Sequence, residues 1–392
     1  GTLIAIDTMK NITITPLLLL LFTLLSALPQ GYGQGCVAIR QFSGCGIDLL
    51  SSGLIDLPQG GWQIGINYRY FKSFRHFRGD HEEAHRLEEG TEVINWSHGW
   101  DLNVSYGISN RLFANFSLPF VYNERSSLYE HGQTERHSTY SSGLGDARIG
   151  LGYWIFNPEK RAGSNLSVGL GLKMPTGDYG ATSAFFNVGP NGEAEVRPVD
   201  QSIQPGDGGW GIVLDVQLFQ QLGQHFSLYS NGFYLSNPRE TNGTLTNRRR
   251  ENEAIMSVPD QFGLRAGFTY FTPLTGLAAS LGSRMEGIPV RDLIGGSSGF
   301  RRPGYVVSIE PGVSYSFKHF SFVLNVPVAL YRNRTQSITD IETEQSTGEP
   351  RHGDAAFADY LLSAGVTYRF GGKKMLHEMP LMKAWEEAEP NE

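Results

Sequence analysis

Apolar and polar residues alternate in short runs along most of the chain from Gly61 onward. In the first run, Trp62, Ile64 and Ile66 are separated by polar or small residues, so an extended strand would carry them all on one face. Eleven later runs have the same period of two and nearly the length that a tilted strand needs to cross a bilayer. We interpret these runs as twelve strands: Trp62–Tyr70, Trp96–Ile108, Leu112–Phe120, Ala147–Ile155, Leu166–Met174, Ile212–Leu218, Phe226–Leu235, Phe262–Phe271, Leu277–Met285, Tyr305–Phe317, Phe322–Leu330 and Tyr360–Phe370.

The connections between these runs alternate between short and long. The short turns are Ser109–Arg111, Asn157–Asn165, Gln220–His225, Thr272–Gly276 and Lys318–Ser321. The long polar loops are His76–Glu92, Asn123–Asp146, Pro175–Gly208, Ser236–Pro259, Gly287–Gly304 and Arg332–Phe357. A barrel in the outer membrane has short periplasmic turns and long outer loops, whereas a soluble β-sandwich has no reason to alternate. The pattern therefore predicts an all-β fold, a transmembrane antiparallel up-and-down β-barrel of about 12 strands.

Composition is compatible with this prediction. The 392 residues include 48 glycines, 12% are aromatic and only 18% are charged, as expected when one face of each strand meets lipid. After the first segment no apolar run is long enough for a transmembrane helix, which excludes a helical membrane protein. The net charge is -7 and the basic residues are scattered, so nucleic acid is not expected as a partner.

The first segment has the features of a secretory signal peptide. A basic start at Met9–Asn11 precedes an apolar run, Ile14–Leu25, and small residues Gly31 and Gly33 stand before a cleavage site at Gln34. The alternative is an uncleaved anchor helix, for which the run is short. We therefore expect a protein of a Gram-negative outer membrane, divided into residues 1–33 (upstream residues and signal peptide), 34–60 (periplasmic segment), 61–370 (barrel) and 371–392 (periplasmic tail).

The two cysteines of the chain, Cys36 and Cys45, follow directly after this cleavage site. In an exported chain, a close pair of cysteines is more often a disulfide than a metal site, so we predict a Cys36–Cys45 disulfide. The alternative is a lipid anchor on Cys36, although the preceding residues lack the usual leucine.

One motif matches a catalytic pattern. His81-Glu82-Glu83-Ala84-His85 has the spacing of zinc proteases, in which one helix presents both imidazoles to the metal. Here the motif lies in a loop between strands, which cannot supply the walled cleft of such an enzyme. His76, His81 and His85 are weak candidates for a surface metal site, and we expect no catalytic residues, no cofactor and no enzymatic activity.

The inward face of the predicted barrel carries charges of both signs. Nine such residues are expected to line the lumen: Arg69, Asp101, Arg148, Lys173, Asp215, Arg265, Arg284, Glu286 and Glu310. A charge on the lipid-facing side would be costly, which places these residues inside. They would either line a conducting or ligand-binding path or form a network that fills the barrel.

Two segments, Ser142–Gly150 and Gly169–Tyr179, resemble the outer-membrane family labelled "MetA-pathway of phenol degradation". The turn Tyr106–Leu112 and the strand Leu118–Phe120 are similar to the second hairpin of that family. These matching motifs are structural glycines and turns rather than reactive groups. The resemblance implies transport of small, aromatic or hydrophobic compounds across the outer membrane.

Two functions from different classes are consistent with these observations. The first is an outer-membrane channel or diffusion transporter for small solutes, surrounded by outer-membrane lipid. The alternative is a non-conducting scaffold whose outer loops or periplasmic termini bind a protein partner.

Overall fold

The computed structural model of the protein describes residues 57–158, 163–248 and 250–372. Two α-helices lie among them, α1 (His85–Glu88) and α2 (Ile338–Thr347). The strands are β1 (Gly61–Arg78), β2 (His81–Glu82), β3 (Ile94–Gly107), β4 (Leu112–Ser127), β5 (His137–Leu144), β6 (Arg148–Trp154), β7 (Ser164–Lys173), β8 (Thr182–Phe185), β9 (Glu195–Pro198), β10 (Gly211–Leu222), β11 (Phe226–Ser236), β12 (Thr241–Leu245), β13 (Ile255–Ser257), β14 (Gln261–Phe271), β15 (Leu277–Ile288), β16 (Gly304–Phe317), β17 (Phe320–Asn325), β18 (Val328–Asn333) and β19 (Ala355–Gly371).

Twelve antiparallel wall segments form a closed barrel. The order around the ring is β1, β3, β4, β5 with β6, β7, β10, β11, β14, β15, β16, β17 with β18, and β19. The last strand closes the ring by pairing with the first, from Gly61 opposite Gly371 to Phe77 opposite Ala355. The predicted fold class and each of the twelve predicted strands are confirmed.

Side chains alternate between the interior and the outside of the barrel along each strand. On β10, for example, Val213 is fully buried, whereas the adjacent Leu214 is 53% exposed. Apolar residues on the outer face meet lipid, so their exposure in the isolated chain is what a membrane barrel requires.

Exposed aromatic residues lie toward both ends of the barrel. Those toward the short turns are Trp62, Tyr153, Phe226, Tyr270, Phe317, Phe320, Tyr368 and Phe370. Those toward the long loops are Trp100, Phe120, Tyr122, Trp210, Tyr331 and Tyr360. Amphipathic rings favour the two membrane interfaces, so these residues mark the edges of the membrane-spanning zone.

One long loop is much shorter than predicted. Most of Asn123–Asp146 is strand, because β4 continues to Ser127 and β5 runs back beside it, pairing from Ser127 opposite His137. The prediction of a loop was wrong because it depended on apolar outward residues. Beyond the membrane a strand no longer needs them, so polar residues such as Glu124 occupy the outer face of the extended wall.

Smaller elements fill the other long connections. Two hairpins, β8 with β9 and β12 with β13, lie within predicted loops, as does helix α2. The predicted strand Phe322–Leu330 is divided into β17 and β18, with a register irregularity opposite Val307 and Ser308.

Several predictions concern residues outside the described ranges. They are the signal peptide, the Cys36–Cys45 disulfide, residues 34–56 of the periplasmic segment and the tail from residue 373. They stay predictions. Neither helix in the described part of the chain is long and apolar enough to cross a membrane.

Candidate functional site

All nine residues predicted to line the lumen are buried, none more than 7% exposed. Four of them form one ion-paired group on three adjacent strands. Arg265 on β14 binds both carboxylate oxygens of Glu310 on β16, and Arg284 on β15 donates to Glu286 at 2.9 and 2.5 Å. Arg284 also lies 4.0 Å from Glu310, which joins the two pairs.

The group extends electrostatically to the opposite side of the interior. Arg69 on β1 interacts with the charges of Asp101, Glu286 and Arg284, and Asp101 interacts in turn with Arg148. The guanidinium of Arg148 lies over the ring of Phe233, 5.7 Å from its centre. Charges from β14 to β16 are therefore linked to those on β1, β3 and β6. We call these seven residues the interior charge chain: Arg265, Glu310, Arg284, Glu286, Arg69, Asp101 and Arg148.

Lys173 stands opposite Arg148 on the neighbouring strand and has partners that the sequence interpretation missed. Its ammonium group binds both carboxylate oxygens of Asp207 and lies 4.0 Å from Asp146. Both aspartates belong to connections between strands, where no alternation of residues indicates which way a side chain points.

Asp215 requires a glycine on the neighbouring strand. It stands opposite Gly169, where a Cβ atom would lie only 2.2 Å from an oxygen of the Asp215 carboxylate. The glycine in the family-like segment Gly169–Tyr179 thus provides the space for an inward carboxylate.

Two apolar clusters lie on the inner wall around β10 and β11, with the inward carboxylate of Asp215 between them along β10. Val213, Phe233 and Leu235 form one buried cluster. Nearer the short turns, Trp154, Phe219 and Tyr229 form a second, with the ring of Trp154 perpendicular to that of Phe219 at 5.9 Å. The inner face does not contact lipid, so the membrane does not explain these apolar residues. They serve either to pack the interior or to line a path for apolar molecules.

The outer mouth contains charged residues that were not predicted. Arg125 lies on the part of β4 that was taken for a loop, and Arg302 lies two residues before β16. Both approach Asp200, which lies in the long connection between β7 and β10. The sequence could have predicted Arg125, because continuing the alternation of β4 through Val121 and Asn123 places it on the inner face. Asp200 lies in a connection with no alternation, so the sequence gives no sign of its position.

Residues 85–337 match the sequence family described as "Putative MetA-pathway of phenol degradation". The chain belongs to this family. No curated protein matches its sequence.

The fold of this member of the MetA-pathway family is shared with a solved outer-membrane barrel. The chain is similar to the COG4313 outer membrane channel from Pseudomonas putida F1, with a TM-score of 0.52 and 15% identity over 80% of this chain and 97% of that one. It is also similar to the Pseudomonas putida toluene transporter TodX, with a TM-score of 0.39 and 11% identity over 86% and 98% of the two chains. The first likeness shows the fold, and this family member is a protein of the outer membrane.

The three histidines considered as metal ligands do not converge in this family member. The two nitrogens of His76 are already engaged, since Nδ1 donates to Asp354 and Nε2 accepts from the amide of Val93, both at 2.8 Å. His81 lies on β2 and His85 on α1, so no single helix presents both imidazoles. Within the three described ranges, no group of three or more histidine, cysteine or acidic side chains could hold a metal ion.

Proposed function

We propose that this protein is an outer-membrane channel through which small hydrophobic solutes, including aromatic ones, cross by way of the barrel interior. The observation that carries the proposal is the pair of apolar clusters on the inner wall around β10 and β11 in a closed twelve-strand barrel. Small-molecule paths and sites in proteins are mostly apolar, with a few polar groups that fix orientation. The fold shared with an outer-membrane channel and the description of the family support the same function.

In this proposal the interior charge chain has a separate task. It links distant walls of the barrel and forms a polar side that adjoins the apolar one, since the guanidinium of Arg148 lies over the ring of Phe233. A solute with one polar group and an apolar body would contact both sides.

The test is uptake through a lipopolysaccharide-containing outer membrane, which hydrophobic compounds cross slowly without a channel. The full chain is produced in a Gram-negative host, and entry of radiolabelled toluene is compared with entry of arabinose. We expect faster toluene uptake and little change for arabinose.

Two tryptophan variants on adjacent strands make the test specific. Phe233→Trp enlarges a side chain in the interior, whereas Phe268→Trp enlarges one on the lipid-facing side. We expect Phe233→Trp to reduce toluene uptake several-fold and Phe268→Trp to leave it unchanged, with heat-modified gel mobility confirming both barrels. Toluene entry no faster than in cells lacking the protein would contradict a channel function and favour a scaffold.

A further inference from the structure

The connection between β7 and β10 folds into the outer mouth of the barrel. We call residues 199–204 the strap. Val199 and Ile203 are fully buried, and the carbonyl oxygen of Ile203 accepts hydrogen bonds from Asn123, at 3.2 Å, and from Ser141. The strap is therefore docked on the inner side of the extended β4 and β5 wall.

Asp200 ties the strap to both sides of the mouth. Arg302 donates to its two carboxylate oxygens, each at 2.7 Å, and a nitrogen of Arg125 lies 3.6 Å from it. Arg125 is on β4 and Arg302 adjoins β16, and these strands are five steps apart in the ring of twelve. A single carboxylate thus joins nearly opposite walls through the strap.

The two arginines remain oriented by contacts outside the strap. Arg125 is held by Glu130, with a closest approach of 2.8 Å, and donates to Asn95 at 3.0 Å. The guanidinium of Arg302 lies over the ring of Phe300, 4.7 Å from its centre. The arginine pair is therefore built into the mouth, and the strap places one carboxylate between them.

Removing that carboxylate without replacement is unfavourable. The side chains of Arg125 and Arg302 are only 4% and 6% exposed, so water compensates poorly for the loss of Asp200. Burial alone would raise the pKa of Asp200, but the charges of Arg125 and Arg302 outweigh it and hold the pKa well below its usual value. Another anion in the place of Asp200 would keep both guanidinium groups paired.

We propose that Arg125 and Arg302 form a binding site for the carboxylate of a small organic acid, which displaces Asp200 and releases the strap from the mouth. Guanidinium forks match carboxylates in geometry, and the ring of Phe300 holds the guanidinium of Arg302 in place. Binding of the acid and release of the strap are then linked, so each favours the other. The inference rests on the proposed channel function and names the solute class that opens it.

The proposal is tested by binding, which does not depend on transport. Purified full-length protein in detergent is titrated with benzoate, and with benzamide as the uncharged match. Asp200→Asn removes the internal competitor, so we expect it to bind benzoate at least tenfold more tightly than the unmodified protein does. Arg302→Met should abolish benzoate binding, and benzamide should bind none of these proteins.

A matched control uses a second buried pair near the mouth. Asp292 is bound by both terminal nitrogens of Arg301, at 2.7 and 2.6 Å, but is not part of the strap. Asp292→Asn should leave benzoate affinity as in the unmodified protein. Hydrogen exchange of residues 199–204 should rise at least fivefold when benzoate is added. Asp200→Asn should show the same raised exchange in the absence of benzoate.

Equal benzoate affinity of the unmodified protein and Asp200→Asn, or exchange in the strap that benzoate does not change, would overturn the inference. Those results would not bear on the toluene-uptake test of the channel function. If benzoate competes with Asp200 as expected but toluene does not enter the cells, the result would contradict the channel function and leave the carboxylate site standing.

Discussion

His131 is a buried histidine in the short turn between β4 and β5, and its ring is held in the neutral form. Nδ1 accepts a hydrogen bond from the amide of Phe186 at 3.0 Å, and the ring of Phe185 is stacked 5.6 Å away. Burial lowers the pKa of His131, with a smaller contribution from His137 and an opposing one from Glu130. Because protonation of Nδ1 would remove the acceptor, this contact requires the neutral ring.

Acidification should therefore loosen the contact between His131 and the loop that carries β8 and β9. A lowered pKa means that the stabilisation is complete above the ordinary histidine value of about 6.5 and is lost as the pH falls through the folded value. We expect hydrogen-exchange protection factors of residues 182–198 to fall between pH 7.5 and 5. His131→Asn should lack this pH dependence, whereas the exposed His81→Asn should retain it. Unchanged protection factors in the unmodified protein would contradict the assignment.

Helix α2 in the loop before β19 begins with a capping box. The Ser337 side chain accepts from the amide of Asp340 at 3.1 Å, and the Asp340 carboxylate accepts from the amide of Ser337 at 3.0 Å. Asp340 also lies 3.5 Å from Arg334, which attaches the start of the helix to the end of β18. Asp340 therefore both caps the helix and attaches it to the end of β18.

Removing the cap should weaken this element and leave the barrel intact. Ser337→Ala is expected to cost about 1 kcal/mol in local stability, because an amide at the start of the helix loses its acceptor. Ser346→Ala is the control, since Ser346 donates only to a carbonyl within the same helix. Hydrogen exchange of residues 338–347 should rise about fivefold in the first variant and stay constant in the second. Equal exchange in both would mean that other contacts hold the helix.

At the scale of the whole barrel, the ion pair between Arg265 and Glu310 joins β14 and β16, which lie on either side of β15. The pair is buried inside the barrel. Breaking a buried pair from one side leaves an uncompensated charge, whereas replacing both partners with apolar residues does not. Arg265→Met should therefore lower the free energy of unfolding by about 3–5 kcal/mol, and the double variant Arg265→Met with Glu310→Met should recover most of the loss.

Urea unfolding of the refolded barrel in detergent measures these differences. The partly exposed pair Arg197 and Glu195, 2.7 Å apart in β9, supplies the comparison, and Arg197→Met should change the free energy of unfolding by less than about 1 kcal/mol. Additive effects of the two interior substitutions would show that the pair is not coupled.

The sequence alone predicted the membrane-spanning part of the barrel, because lipid on one side and a packed interior on the other impose a period of two on each strand. Arg265, Glu310 and the other predicted interior charges were assigned to the inner face by the same constraint, and all nine are buried. The turn lengths between runs then determined which strands are neighbours.

Only the tertiary structure decided which interior charges pair and what crosses the mouth. Arg265 and Glu310 are 45 residues apart, and Asp200 and Arg302 are 102 apart, separations at which alternation carries no information about partners. Beyond the membrane the lipid constraint ends, so the extension of β4 has no apolar outer face to mark it as a strand, and the strap has no period of two. There, side-chain hydrogen bonds and ion pairs formed on closure of the ring determine the conformation, and those contacts exist only in the folded chain.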